Sequence, residues 1–330
     1  MKKFFLSLAV FVMALCANAQ TNQYFWYQGN LMMGNLIAQI DSVTFGDGES
    51  VDTLHILLPR AIIKVVHDTT YIIVHDTVCP NLIPEGALAG EFSVSATKKV
   101  RFSKGNLQYQ ASTGTWRFAE NQWDYVGNAS LGNVYENDVK CNNALISSTY
   151  SGWIDLFGHS TANTYYGVST SMNNSNYSGD FVDWGTNPIS NGGNQANLWR
   201  TFSKSEWEYM CSSRINASQK IAKATVGGVY GLVVLPDEWT CPATLIFNAN
   251  MSNWNANVYS SSDWQKMQTA GAIFFPATGY RNGTTIDECQ TDGHIWTNGT
   301  YHAWFNQTSM YPQSRDLYSG RSVRLVQDVE

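Results

Sequence analysis

The sequence predicts an α+β fold in which short strands outnumber helices. Three observations carry that reading. β-prone runs recur between Asn-, Ser- and Gly-rich loops, and helical periodicity appears in two places. Aromatic residues reach 13% while charged ones reach 14%, unlike the Lys-, Glu-, Ala- and Leu-rich usage of helical proteins. With 330 residues and 44% hydrophobic content, the chain can fill a core and is too apolar for a disordered polymer.

The first nineteen residues read as a signal peptide. Lys2 and Lys3 precede an apolar run from Phe4 to Cys16, and Ala17-Asn18-Ala19 forms the cleavage site. The mature chain is expected to begin at Gln20 and to be exported, to the periplasm, the cell surface or the medium. The apolar run is too short to span a bilayer stably, and no transmembrane segment follows. Without the leader's two lysines, 18 basic residues face 26 acidic ones, for a net charge of −8. An acidic chain with no basic cluster excludes nucleic acid as a partner, because phosphate contacts need Lys and Arg. Cys79, Cys141, Cys211, Cys241 and Cys289 remain. Their odd number leaves the disulfide pairing open, and the absence of C-x-x-C argues for burial as small apolar residues.

Residues 20–82 read as a β-rich spacer or docking segment. Ile40 to Phe45 is strand-prone before the Gly46-Asp47-Gly48 turn. The run Ile62 to Val78 is an extended strand or a hairpin, and it holds a near-repeat, Val66-His67-Asp68-Thr69-Thr70 and Val74-His75-Asp76-Thr77-Val78. His67 and His75 share a strand face, which reads as solvated rather than metal-binding. Cys79 to Gly86 is the linker into a second domain, 83–330.

That domain opens with strand candidates at 91–94, 99–102, 105–109 and 115–118, followed by long loops over 126–151 and 160–198. The first helix starts at the capping box Ser203-Lys204-Ser205-Glu206, with Trp207, Met210 and Cys211 on one face and Arg214 in its last turn. The second spans 262–270, with Trp264 and Met267 as its stripe and Gly271 as its stop. Further strands are expected at 231–235, 272–275 and 322–327.

The ordered set Ser203-Lys204-Ser205-Glu206-Trp207-Glu208-Tyr209, Leu235-Pro236-Asp237-Glu238-Trp239, the run Gly271 to Arg281 and Ser322-Val323-Arg324-Leu325-Val326 carries a resemblance. So do Gly105-Asn106-Leu107-Gln108-Tyr109 and the segment Trp153 to Gly158. Over roughly residues 88–328 the chain resembles the formylglycine-generating-enzyme-like (sulfatase-modifying-factor) branch of the C-type lectin fold. It looks most like non-catalytic Bacteroidetes members. The resemblance implies a small twisted antiparallel sheet, two flanking helices, long loops, and first and last strands that pair. It also implies copper-binding cysteines shortly before the final strand in the enzymes of the branch. No cysteine lies between His294 and Arg324, and soft Cu(I) needs soft ligands, so the chain reads as non-enzymatic, with no cofactor. The calcium sugar-binding motif is broken too: Ala256 follows Trp254-Asn255 where Asp is needed. That leaves room for a structural calcium elsewhere.

A second resemblance lies in the spacer. Asp-Ser/Thr triplets at Asp41, Asp52, Asp68 and Asp76 resemble the O-glycosylation sequon of Bacteroidetes exported proteins. They imply glycans on Ser42, Thr53, Thr69 and Thr77.

Other catalytic signals are weak. No G-x-S-x-G, phosphate loop or H-E-x-x-H occurs. Carboxylates cluster at Asp180/Asp183, Glu206/Glu208 and Asp237/Glu238, which keeps a hydrolase as the lesser alternative. Binding is expected on C-terminal surface loops, through Trp296, Tyr301, His302, Trp304, Asn306, Tyr311, Arg315 and Tyr318. Rings supply apolar area at low entropy cost, and amide and guanidinium groups give direction. For Trp296 and Trp304 a place in the core is the competing reading. The expected role is a ligand-binding or adhesion protein for a glycan or a protein. Two alternatives stand beside it: a structural subunit of a surface assembly docking through residues 20–82, and a receptor similar to those diversified by retroelements.

Overall fold

The computed structural model describes residues 83–159 and 168–329, together with the backbone of six strands before them. Two compact units divide the chain, Met1–Leu82 and Ile83–Glu330.

In the first unit, β1 (Phe25–Tyr27) and β2 (Asn30–Met33) form an antiparallel pair. A four-stranded antiparallel meander follows: β3 (Ser42–Thr44), β4 (Thr53–Leu58), β5 (Ala61–Val66) and β6 (Ile72–Val74). The run Ile62 to Val78 thus contributes a hairpin, with Ile63 opposite Val74. β-branched residues favour this pleated surface. Ser42 and Thr53 open β3 and β4. The leader, His67, His75, Thr69, Thr77 and Cys79 lie outside the described residues.

The described residues of the second unit are mixed α+β, mostly strands in small sheets with two α-helices. One sheet joins β7 (Phe92–Ser93), β8 (Lys99–Phe102), β14 (Arg200–Thr201) and β24 (Leu325–Asp328) in the order β14-β24-β8-β7. The last strand therefore pairs with the second strand of the unit, Val326 opposite Phe102, and not with the first. β7 already occupies one side of β8, with Phe92 opposite Val100, so β24 takes the free side. The two ends of the unit still meet in one sheet.

A three-stranded sheet holds β9 (Leu107–Gln110), β10 (Thr115–Phe118) and β13 (Trp153–Ile154). The hairpin β11 (Tyr135–Glu136) and β12 (Val139–Lys140) interrupts the first long loop. A second four-stranded sheet is built from β15 (Ile221–Val226), β16 (Val229–Val234), β17 (Val258–Tyr259) and β18 (Ile273–Pro276). Every residue of β15 is buried, as expected of a strand covered on both faces.

Helix α1 (Lys204–Glu208) starts as its sequence dictates. The Ser203 hydroxyl accepts the Glu206 amide at 3.1 Å, and the Glu206 carboxylate accepts the Ser203 amide at 2.7 Å. The predicted helix then changes character, because Tyr209–Ser213 is π-helical and the Arg214 amide donates to the Tyr209 carbonyl. Helix α2 (Ser261–Thr269) is capped by Ser260 and buries Trp264 and Met267. Gly271, at φ +98°, ends it in a conformation that other residues rarely adopt.

Phe275 stands in the main core. Its ring meets Phe102 and Trp207 edge-on at 5.5 Å each. Leu232, Val234, Ile295, Phe305 and Val326 complete the same cluster, and full burial of each such side chain contributes roughly 1.5–3 kcal/mol. Arg324 is buried, has no carboxylate partner among the described residues, and bonds to Asn106 and Gln122 at 3.3 and 2.9 Å. Cys141 and Cys211 are buried and Cys241 and Cys289 half-buried, and among the described residues all four are free thiols. Among the described residues no helix is long and apolar enough to cross a membrane.

Candidate functional site

The C-terminal third builds a polar cleft of about 120 Å³. Its frame is a hairpin, β19 (Tyr280–Asn282) and β20 (Thr285–Asp287), and a sheet of β21 (Asp292–Trp296), β22 (Tyr301–Asn306) and β23 (Met310–Ser314). The register sets Asp292 opposite Asn306, His294 opposite Trp304 and Trp296 opposite His302. Tyr311 lies opposite Trp304 on β23. Paired residues share a face, and alternate residues along a strand do too. One face therefore carries Asp292, His294, Trp296, His302, Trp304, Asn306 and Tyr311. The other carries Ile295, Ala303 and Phe305 into the core.

The segment 319–322 runs between hairpin and sheet. Arg281 and Gly320 exchange backbone hydrogen bonds at 2.8 Å, and the Trp296 amide donates to Ser322 at 2.8 Å. This lays the guanidinium of Arg321 along the cleft. Arg321 is 1% exposed. Its Nη1 donates to the carbonyls of Asp316 and Ser319 at 3.0 and 3.2 Å, and its plane lies 4.4 Å from the Trp296 ring centre. Burial lowers its pKa to about 9, and it stays charged at neutral pH.

Between β20 and β21 the chain turns through Glu288 and Gln290 at φ 56° and 61°. The Glu288 carbonyl accepts the amides of Thr291 and Asp292 at 3.1 and 3.0 Å, which aims the Glu288 carboxylate back at β21. It meets His294 Nε2 at 3.0 Å. His294 is buried, and burial pushes its pKa down, so the imidazole is neutral. The hydrogen bond to His294 pulls the Glu288 carboxyl below its ordinary value. Trp304 Nε1 donates to Asp292 Oδ1 at 2.8 Å, and the Tyr311 ring packs against Trp304 at 4.8 Å.

The eight sequence-predicted site residues divide. Trp304, Arg315 and Tyr318 line the cleft, and Tyr311, half-exposed at 51%, supports Trp304 at its rim. Trp296 and His302 are 0% exposed and are corrected to the interior. Trp296 is held there by Nε1 donating to the Phe157 carbonyl at 2.6 Å. His302 packs on the His294 ring at 5.2 Å. Tyr301 lies under the Lys204 ammonium at 4.5 Å and does not line the cleft. Asn306 folds its own turn, accepting the amides of Thr308 and Ser309 at 3.0 and 2.9 Å. The surface-loop expectation is also corrected, since six of the eight sit on β21, β22 and β23.

Sequence reasoning missed Tyr280, Glu288, Asp292 and Arg321 as cleft residues. The period-two spacing Asp292-x-His294-x-Trp296 was the available signal for a strand face. One member of each carboxylate pair holds a structural contact. Asp183 caps a 3₁₀ turn and accepts the Thr201 amide at 2.9 Å, Glu206 closes the α1 cap and pairs with Arg200 at 2.7 Å, and Asp237 holds Ser93 and Arg214.

No family model, curated protein or solved structure matches this chain.

Proposed function

We propose that this chain is an exported, non-enzymatic binding or adhesion protein with a C-type-lectin-like domain of the formylglycine-generating-enzyme-like branch, and that it takes a glycan in the cleft lined by β19, β21, β22 and the segment 315–321. The observation that carries this reading is the cleft lining. Trp304 and Tyr318 offer apolar ring area, while Asn282, Asp292 and Arg315 offer acceptors and donors beside it. Sugars present an apolar ring face and a girdle of hydroxyls, so rings combined with directional polar groups suit them. A narrow concave site suits a small polar ligand better than the broad surface of a protein partner.

The test is a glycan-array screen of the full chain, repeated with Trp304→Ala and Tyr318→Ala. Selective binding that both variants lose supports the reading. Selective binding that both retain moves the site elsewhere. No binding to any glycan turns the role toward a protein ligand or toward assembly through residues 20–82.

A further inference from the structure

We propose that the same cleft is a binding site for a divalent transition metal of the zinc class, held by Glu288, Asp292 and His294. One donor atom from each of these residues lies within 4.8 Å of the others. Two of the donors, His294 Nε2 and Glu288 Oε2, already stand 3.0 Å apart. Tetrahedral zinc spaces its ligands by roughly 3.3 Å. Glu288, whose side chain is 45% exposed, has the freedom to close the remaining distance.

Three independent features point to a cation. The first is the aim of His294. The ring is buried, and Nε2 stands 3.0 Å from the Glu288 carboxylate. With the imidazole proton on Nδ1, the Nε2 lone pair and a Glu288 oxygen are two donors placed to share one ion.

The second is charge. Three carboxylates, Glu288, Asp292 and Asp316, face two guanidinium groups, Arg315 and Arg321, around the cleft. Among the described residues neither Asp292 nor Asp316 has an ion-pair partner.

The third is support behind a ligand. Trp304 Nε1 fixes Asp292 through one oxygen and leaves the other free, as outer hydrogen bonds do for metal-binding carboxylates. An imidazole with two carboxylates selects a zinc-class ion over calcium, which takes oxygen donors alone, and three protein ligands leave a position open to a ligand in the cleft.

The assignment does not rest on the glycan reading, because ion binding is measured without sugar. The full chain is stripped with chelator, dialysed and titrated with Zn²⁺ by calorimetry, and with Co²⁺ by its visible absorption. The expected result is one cleft ion per chain. Glu288→Gln, at an exposed position, and Asp292→Asn, which keeps an acceptor for Trp304, each weaken it at least about tenfold and change the Co²⁺ spectrum. His67→Ala/His75→Ala leaves both readouts of the cleft ion unchanged. Absence of stoichiometric binding by the folded chain overturns the assignment. Binding undiminished in the Glu288 and Asp292 variants, or abolished by the His67/His75 substitutions, overturns it equally. Zinc binding without any glycan hit leaves this site standing and removes the glycan reading alone.

Discussion

The indole N–H of Trp304 donates to the carboxylate of Asp292 at 2.8 Å, so the aromatic wall of the cleft and its acid are one unit. Both project from the same face of the β21–β22 pair, on neighbouring rungs. Trp304→Phe keeps a ring there and deletes the donor. A hydrogen bond to a charged group contributes about 1.5–3 kcal/mol, and part of that is returned by water at this half-open site. Affinity for a glycan identified on the array is expected to fall about tenfold, equivalent to about 1.4 kcal/mol. Calorimetric titration of wild type and variant checks this, and equal affinities would show that the ligand does not use Asp292.

Gly279 is where backbone conformation governs the cleft. Its φ is +67°, and a Cβ there would come within 2.1 Å of the Asp287 carbonyl oxygen and 2.6 Å of the Cys289 amide. Gly279→Ala must therefore shift the hairpin that carries Tyr280 and the turn that carries Glu288. A substitution that clashes and is also strained costs more than about 1 kcal/mol. The expected outcome is a lower urea midpoint together with weaker ligand binding. A variant as stable as wild type would mean that the hairpin relaxes freely.

Much of this architecture is legible in short stretches of sequence. Ser203 and Glu206 announce their helix because a capping box is a local device. The stripe of Trp264 and Met267 likewise needs no distant partner. Trp296 and Trp304 are different. They occupy one face of one sheet, and nothing local separates them. What buries Trp296 is the carbonyl of Phe157, 139 residues away, and the guanidinium of Arg321. Glu288 was hidden for a related reason. Its aim at His294 comes from a left-handed turn that no residue preference in Asp-Glu-Cys-Gln specifies. The long C-terminal segment read as loop because its aromatic and amide residues obscure an alternation that is plain once the strands are paired.

Two buried indoles should respond differently to the same substitution. Trp296 and Trp264 are both 0% exposed. Trp296 Nε1 donates to Phe157 at 2.6 Å and its ring carries Arg321. Trp264 Nε1 has no acceptor among the described residues, and its ring packs on Tyr259 and Phe274 at 5.9 and 5.6 Å. Changing either to Phe removes similar volume, but only Trp296→Phe also forfeits a made hydrogen bond and a cation–π contact. Trp296→Phe is expected to cost about 1–2 kcal/mol more than Trp264→Phe. Urea unfolding of the two variants side by side decides it, and the reverse order would show that packing outweighs both polar contacts.

Asp155 makes a pH dependence that can be isolated. Its side chain accepts from the Val126 amide and from Asn143 Nδ2, both at 2.6 Å, on a loop whose interior it closes. Burial nevertheless dominates and lifts its carboxyl from 3.8 to about 6. In the unfolded chain the group titrates near its ordinary value. Between the two values the folded protein holds a proton that the unfolded one has released. The resulting stabilisation is complete below about pH 4 and is lost as the pH rises through about 6. At 1.36 kcal/mol per pH unit the swing is about 3 kcal/mol. Asp155→Asn cannot titrate and keeps only one of the two acceptor roles, so it shifts the level of stability without adding a slope. The difference between wild-type and variant unfolding free energies should therefore fall as the pH rises from 4 to 7. Urea titrations at half-unit steps measure it. A difference that stays flat, or that grows with pH, would show that the carboxylate is held by its hydrogen bonds more strongly than burial opposes it.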